Sequence, residues 1–305
     1  MTDQFHPEVT LVGGTTNRGL VVRVGNSVRR PLRTTSPATH ALLRHLADVG
    51  FDGAPRFLGV DESGREVLSY VPGRAVTPPY PRWALTDEAL VSVAGLLRAY
   101  HEAVRSFDPT PFTWPSSPPA AFAGELVSHN DLNLDNVVFR GGRAVALIDF
   151  DLASPGSRVW DVACAARLWA PLLPDDGIHD ARRGWALERF GIFVDAYGLS
   201  CADRERVVDA VRHNLDWCYD IIADNAAHGH QAFAEYCRSG AMGRAERAHQ
   251  WYSANDLLLR TAVRPGGRAA GPVHTIAVPA RGTRDPAVHG PDGRSADAGR
   301  YGSAP

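Results

Sequence analysis

Between Ser128 and Asp151 the chain reads SHNDLNLDNVVFRGGRAVALIDFD, and Asp131, Asn136 and Asp149 within it are of the types that hold a hard cation and move a proton. Gly141-Gly142 suits a two-residue hairpin turn between VVFR and RAVALI. Arg140 then lies opposite Arg143, and counting back sets Asn136 opposite Leu147. Asp149 becomes the diagonal neighbour of Asn136 on the same face, at roughly 7 to 8 Å between backbones. An amide oxygen and a carboxylate so placed can share one Mg²⁺ at ~2.1 Å per bond. Asp131 stands on a turn-rich loop at the same end of the hairpin. A carboxylate there suits orienting a hydroxyl and accepting its proton as a phosphoryl group leaves a nucleotide. A different chemistry for the same residues is a metal hydrolase using His129 and Asp131 as ligands, although no second His cluster lies at ligand spacing nearby.

The composition narrows the partners. All 32 cationic residues are arginine, so chemistry that needs a lysine, such as a Schiff base or a Walker-type phosphate loop, is excluded. With 34 acidic residues and a net charge of −2, the chain offers no electrostatic footprint for nucleic acid, which leaves small molecules or proteins as partners. Cys164, Cys201, Cys218 and Cys237 are widely spaced with no C-x-x-C pair, as expected of reduced thiols in a cytoplasmic protein. Neither a signal peptide nor a stretch of ~18 apolar residues is present, so neither secretion nor membrane insertion is expected.

The elements that must position the chemistry follow from pattern. VTLVGGTTNRGLVVRVGNSVRR alternates β-branched runs with glycine turns, predicting strands at about 9–13, 20–24 and 27–30 with Gly25-Asn26 as the second turn. SPATHALLRHLADVG predicts a helix with Ser36 as N-cap, Pro37 in its first turn and Gly50 as its stop. RFLGVD and EVLSYV form two further strands around a turn at 61–64. After a Pro-rich connector at 71–81, Thr86 caps a helix through TDEALVSVAGLLRAYHEAVRSF, and helical periodicity returns from about Gly177 to Val263. Residues 264–305 hold 8 Gly and 6 Pro with no apolar periodicity, and read as a disordered tail. The class is α+β.

H-x-D-x-x-x-x-N at His129, Asp131 and Asn136, the I-D-F of Ile148 to Phe150 and the W-D-V-A of Trp160 to Ala163 together resemble the aminoglycoside phosphotransferase family. The resemblance is strongest over 95–170, weak over 171–263 and absent in the tail. It implies a two-lobe protein-kinase-like fold, with a sheet lobe to about residue 71, a larger, mostly helical lobe to 263, and ATP or GTP as donor to a small hydroxyl compound. By position, Asp131 would be the catalytic base, Asn136 and Asp149 the Mg²⁺ ligands, and His129 and Asp161 the catalytic loop's supports. The loop over the phosphates would be Gly13, Gly14 and Thr15 through Gly19, and the connector Ser69-Tyr70-Val71 would meet the nucleotide base.

Two positions depart from that pattern. On the third strand the phosphate-binding lysine of kinases is replaced: alternation puts Val28 and Arg30 on one face, making Arg30 the expected phosphate contact and Arg29 the alternative if the register slips. The next helix has no glutamate, and His40 stands in the likely place of that partner acid. These absences keep open a non-catalytic nucleotide-binding protein of the same fold. On the acceptor side, Asp216, Asp220 and Asp224 recur at helical spacing and would suit a cationic ligand, or simply a solvated face. A polar helix end accounts for His228 and His230. Trp160, Trp169, Trp185, Trp217 and Trp251 are expected in the core. The acceptor stays open among an aminoglycoside, another antibiotic, a sugar and an amino alcohol.

Overall fold

The computed structural model describes residues 7–11, 19–124, 126–267 and 275–278. Its N-terminal part is an antiparallel sheet of β1 (Val9–Thr10), β2 (Val22–Val24), β3 (Ser27–Pro31), β4 (Phe57–Val60) and β5 (Arg65–Ser69), in the order β1-β2-β3-β5-β4. Helix α1 (Ser36–Asp48) connects β3 to β4. Its N-cap is Thr35 and not Ser36, because the Ser36 hydroxyl is already bound by the Arg33 N–H at 2.9 Å, closing the turn before the helix. Gly50 ends α1 as expected, at φ +74°.

Chain crossing to the helical part runs through Gly73, where a Cβ would stand 2.4 Å from Val138 and 2.7 Å from the Phe139 carbonyl. Only glycine lets the backbone approach so closely, and Arg74 and Phe139 then exchange two backbone hydrogen bonds of 2.9 Å. Helix α2 (Asp87–Ala103) starts at Thr86, whose hydroxyl accepts from Ala89 N–H at 3.3 Å.

The chemistry-bearing block forms β6 (Leu126–Ser128), the hairpin β7 (Val137–Arg140) and β8 (Arg143–Leu147), and β9 (Ser154–Gly156), which pairs with β6. Gly141 and Gly142 make the hairpin turn at φ +58° and +78°, with Arg140 opposite Arg143. The register further along differs from simple counting. Val145 is an extra residue, a bulge, so Val137 pairs with Leu147 and Asn136 faces Ile148 instead of Leu147, its carbonyl accepting from Ile148 N–H at 2.9 Å.

The remaining helices are α3 (Arg158–Trp169), α4 (Ala186–Tyr197), α5 (Cys201–Ala227), α6 (Gln231–Arg238), α7 (Ala241–Ala254) and α8 (Asp256–Val263). Helix α3 packs along α5, and α2 along α4, around Tyr100, Trp160, Trp169, Phe190, Phe193 and Trp251, all fully buried. Trp217 is also buried, but Trp185 is not a core residue: it precedes α4 and is 39% exposed. Of the tail, Ile276 exchanges hydrogen bonds with the Asn255 amide, and most of the rest lies outside the described residues. The four cysteines are free, and among the described residues no helix is long and apolar enough to cross a membrane.

Candidate active site

A buried carboxylate at the start of α3 fixes the loop that carries Asp131. Asp161 accepts from the backbone N–H of His129 at 2.7 Å and of Asn130 at 2.9 Å, and from His101 Nε2 at 2.9 Å. Burial opposes the charge of Asp161, but His101 and the loop amides outweigh it and hold the carboxyl below its ordinary range. Asn130 takes a left-handed backbone conformation, φ +67°, which Asn tolerates better than most residues. Its amide donates to the Leu152 carbonyl and Ser154 Oγ, both at 2.8 Å, while its oxygen accepts from Trp160 Nε1 at 3.0 Å. The loop is thereby pinned on three sides.

His129 is fully buried, and burial holds its ring neutral. Nε2 donates to the Ile148 carbonyl at 3.1 Å and Nδ1 accepts the Asp131 N–H at 3.4 Å. With both nitrogens engaged, His129 positions the loop and has no lone pair to give a metal, which removes the hydrolase arrangement.

Asp131 follows directly. Asn136 Nδ2 donates to its carbonyl at 2.8 Å and to its carboxylate at 3.0 Å, and Asn133 donates to the other carboxylate oxygen. Burial, then the nearby Asp149, Asp135 and Asp151, push the Asp131 carboxyl well above its ordinary range. Asn136 keeps its amide oxygen as the acceptor it can offer a cation. Asp149 sits at φ +62°, an uncommon conformation for a residue with a side chain, at the end of β8. Hard oxygen donors gathered under mutual repulsion fit a small divalent cation. Among the described residues no three His, Cys, Asp or Glu side chains form a metal cage, so a cation held by Asn136 and Asp149 would need further oxygens from a ligand or water.

On the third strand the two arginines take opposite faces. Arg30 faces inward and is 7% exposed, whereas Arg29 points the other way and pairs with Asp61 at 3.3 Å. Arg30 Nε meets Glu66 at 2.6 Å, Nη1 meets Asp149 at 2.9 Å, and Nη2 meets Asp151 at 2.8 Å. Burial works against the guanidinium charge, but Asp151, Asp149 and Glu66 together raise its pKa. A planar fork can serve three carboxylates at once; a lysine ammonium lacks that fixed geometry. The partner acid missing from α1 is Glu66 on β5, and His40 pairs with Glu66 at 2.8 Å and not with Arg30.

Sequence reasoning missed Glu66, Asp151, Asn133 and the Asn130 anchor. Glu66 had a signal: it alternates with Leu68 on the inward face of β5, where an acid calls for a partner. Gly13, Gly14 and Thr15 lie outside the described residues. At the connector, Ser69 N–H is bound by Arg56 and Tyr70 N–H by Asn26, both at 2.8 Å.

The acidic stripe on α5 does not belong to this site. At 3.6 residues per turn, Asp216, Asp220 and Asp224 lie about 120° to 160° around the helix from Cys218, which faces α3. All three are exposed; Asp216 pairs with His249 at 2.8 Å and Asp224 with His228 at 3.4 Å.

Comparison with known proteins decides the family. The sequence profile of the phosphotransferase enzyme family matches residues 113–193. The trifolitoxin immunity protein of Rhizobium leguminosarum bv. trifolii is 34% identical over 213 residues, covering 67% of this chain and 79% of that protein. The chain belongs to the aminoglycoside phosphotransferase family. Solved structures support the protein-kinase-like fold of the family. A choline/ethanolamine kinase family protein from Mesorhizobium loti has a TM-score of 0.53 at 19% identity, covering 85% of this chain and 92% of that one. The GDP complex of wild-type aminoglycoside 2'-phosphotransferase-IIIa has a TM-score of 0.56 at 13% identity, covering 81% and 94%. In this family member, the matched profile spans the catalytic loop, the hairpin and α3, so Asp131, Asn136, Asp149 and Asp161 all fall inside it.

Proposed function

We propose that this protein transfers the terminal phosphoryl group of ATP or GTP to a hydroxyl of a small molecule, with Asp131 as base. The observation that carries the reading is Asp131 itself, held by Asn133 and Asn136 beside Asp149 on a loop clamped by Asp161. The acceptor oxygen bonds to the terminal phosphorus, the bridging oxygen bond breaks with its electron pair leaving on the nucleoside diphosphate, and the hydroxyl proton passes to Asp131. Asn136 and Asp149 would hold Mg²⁺, which supplies neutralisation of phosphate charge when bound. Arg30 keeps Asp149 and Asp151 in place from the sheet side and adds positive charge toward the phosphates. Gly13, Gly14 and Thr15 are the proposed cover of the phosphates, and Ser69 to Val71 the contact to the base; since Ser69 and Tyr70 N–H groups are used within the lobe, Val71 carries that donor role. The name of the trifolitoxin relative supports an acceptor that is an antibiotic or toxin.

Asp131→Asn tests the assignment. Transfer should fall by about 10²- to 10⁴-fold while nucleotide affinity, measured by calorimetry with Mg²⁺, stays within a few-fold. Undiminished turnover in that variant would remove Asp131 as base.

A further inference from the structure

The acceptor side carries a charge that the fold leaves uncompensated. Arg167, in the last turn of α3, is half-buried, and its partners are neutral: Nε donates to Asn214 Oδ1 at 2.7 Å and Nη2 to Cys218 Sγ at 3.1 Å. Among the described residues no carboxylate pairs with it. Tyr252, on the α7 that packs against α5, is 1% exposed, and its hydroxyl has no hydrogen-bond partner among the described residues. Burial raises the Tyr252 pKa and Arg167 opposes the rise.

Arg167 stands next to the loop that carries Asp131. Trp169, two residues beyond Arg167, donates from Nε1 to the Leu132 carbonyl at 2.9 Å, pinning this end of α3 against the residue after Asp131. Burial raises the pKa of the Cys218 thiol; Arg167, in contact with it, opposes the rise and the Asp131 carboxylate adds to it. The arrangement offers a base at one end and a guanidinium with a phenol hydroxyl at the other. Carboxylates that would attract a cationic sugar, Asp216, Asp220 and Asp224, are turned to the outer face of α5.

We infer that Arg167 and the Tyr252 hydroxyl anchor a carboxylate on the acceptor, so that the compound phosphorylated is a hydroxyl-bearing carboxylic acid and not a polycationic sugar. This rests on the phosphotransferase reading above and names its substrate class. A guanidinium held by an amide oxygen and a thiol retains donor capacity, and a carboxylate arriving there gains charge-assisted hydrogen bonds in a site partly shielded from water. The bonding changes are those of the transfer already described, with the carboxylate a spectator that fixes the distance from anchor to Asp131. A purely structural Arg167, tying α3 to α5, predicts lower stability without any change in which acceptors are used.

The test is nucleotide consumption by the full chain over a hydroxyl-compound panel in matched groups: hydroxy acids, their amides, the corresponding amino alcohols, the corresponding phosphate esters, and aminoglycosides. Hydroxy acids should be the acceptors consumed, with KM for the matched amides higher by about 10- to 100-fold. Arg167→Gln should raise KM for the acids by a similar factor, abolish the acid-to-amide discrimination and leave KM for the nucleotide within about twofold. Tyr252→Phe should raise the acid KM by about fivefold, and Arg167→Lys should retain part of the preference; these two carry the test if Arg167→Gln does not fold. Preference for amines, aminoglycosides or phosphate esters, or an acid preference unchanged in a folded Arg167 variant, would overturn the carboxylate assignment and leave phosphotransfer standing. Consumption no greater than that of Asp131→Asn with every compound would instead sink the phosphotransferase reading, and the inference with it.

Discussion

Arg30 and Arg167 are both withdrawn from water, and they are held in opposite ways. Arg30 spends each of its three nitrogens on a different carboxylate, Glu66, Asp149 and Asp151, and Asp151 also pairs with Arg33 at 2.9 Å. Arg167 meets an amide oxygen and a thiol. Withdrawing a guanidinium costs solvation whatever its partners are, and only opposite charge with good geometry offsets that cost. Around Arg30 the fold supplies the opposite charge itself and so gains a rigid bridge from β3 to the end of β8. Around Arg167 it does not, and we assign the unmet charge to a ligand.

The largest test of this contrast is Arg30→Met. It strands Glu66, Asp149 and Asp151 without their common counter-charge, and stability by urea denaturation should fall by about 3 to 5 kcal/mol. Transfer should drop with it, since Asp149 loses the group that orients it. A variant that unfolds at the wild-type midpoint would show that the Arg30 bridge is not what joins sheet and hairpin. Glu66→Gln removes one of the three carboxylates and should cost less, about 1 to 3 kcal/mol. Combined with Arg30→Met, it should prove less damaging than the sum of the two single changes, because the acid stranded by the first change is gone.

Asp161 is a second compensated charge, and pH probes it. Its folded carboxyl lies below the ordinary aspartate value, so its contribution to stability is present above about pH 4 and is lost as pH falls through the folded value. Asp161→Asn should therefore be destabilised by about 3 kcal/mol near neutrality, with the gap from wild type closing on acidification. Melting curves between pH 7 and pH 3 decide it; a gap that widened toward acid would place the latch elsewhere.

What the sequence made legible was what local pattern encodes. The glycine pair that turns the β7–β8 hairpin, the Thr86 cap and the alternation that puts Arg30 inward depend on neighbours in the chain. The grouping of Asp131, Asn136 and Asp149 was legible because they belong to one supersecondary unit. Long-range compensation was not: Glu66 serves Arg30 from a strand 36 positions away, and nothing within β3 or α1 announces it. The Val145 bulge escaped counting because no residue type is obligatory at such a position. Arg167 escaped for a related reason, since the absence of an acid around a side chain is a property of packing and not of spacing.

The smallest expected effect separates the two arginines most sharply. Arg167→Met deletes a charge that no carboxylate compensates and replaces it with an apolar chain of similar length. If the site is kept for binding, the change should alter stability by no more than about 1 kcal/mol, in either direction, in the absence of ligand. Acetate added as a simple carboxylate should raise the melting temperature of the wild type more than that of Arg167→Met at equal ionic strength, because only the wild type offers the guanidinium that binds it in the folded state. A loss of several kcal/mol in Arg167→Met, equal to that of Arg30→Met, would make Arg167 a structural tie between α3 and α5. Arg30 and Arg167 would then differ in partner type alone.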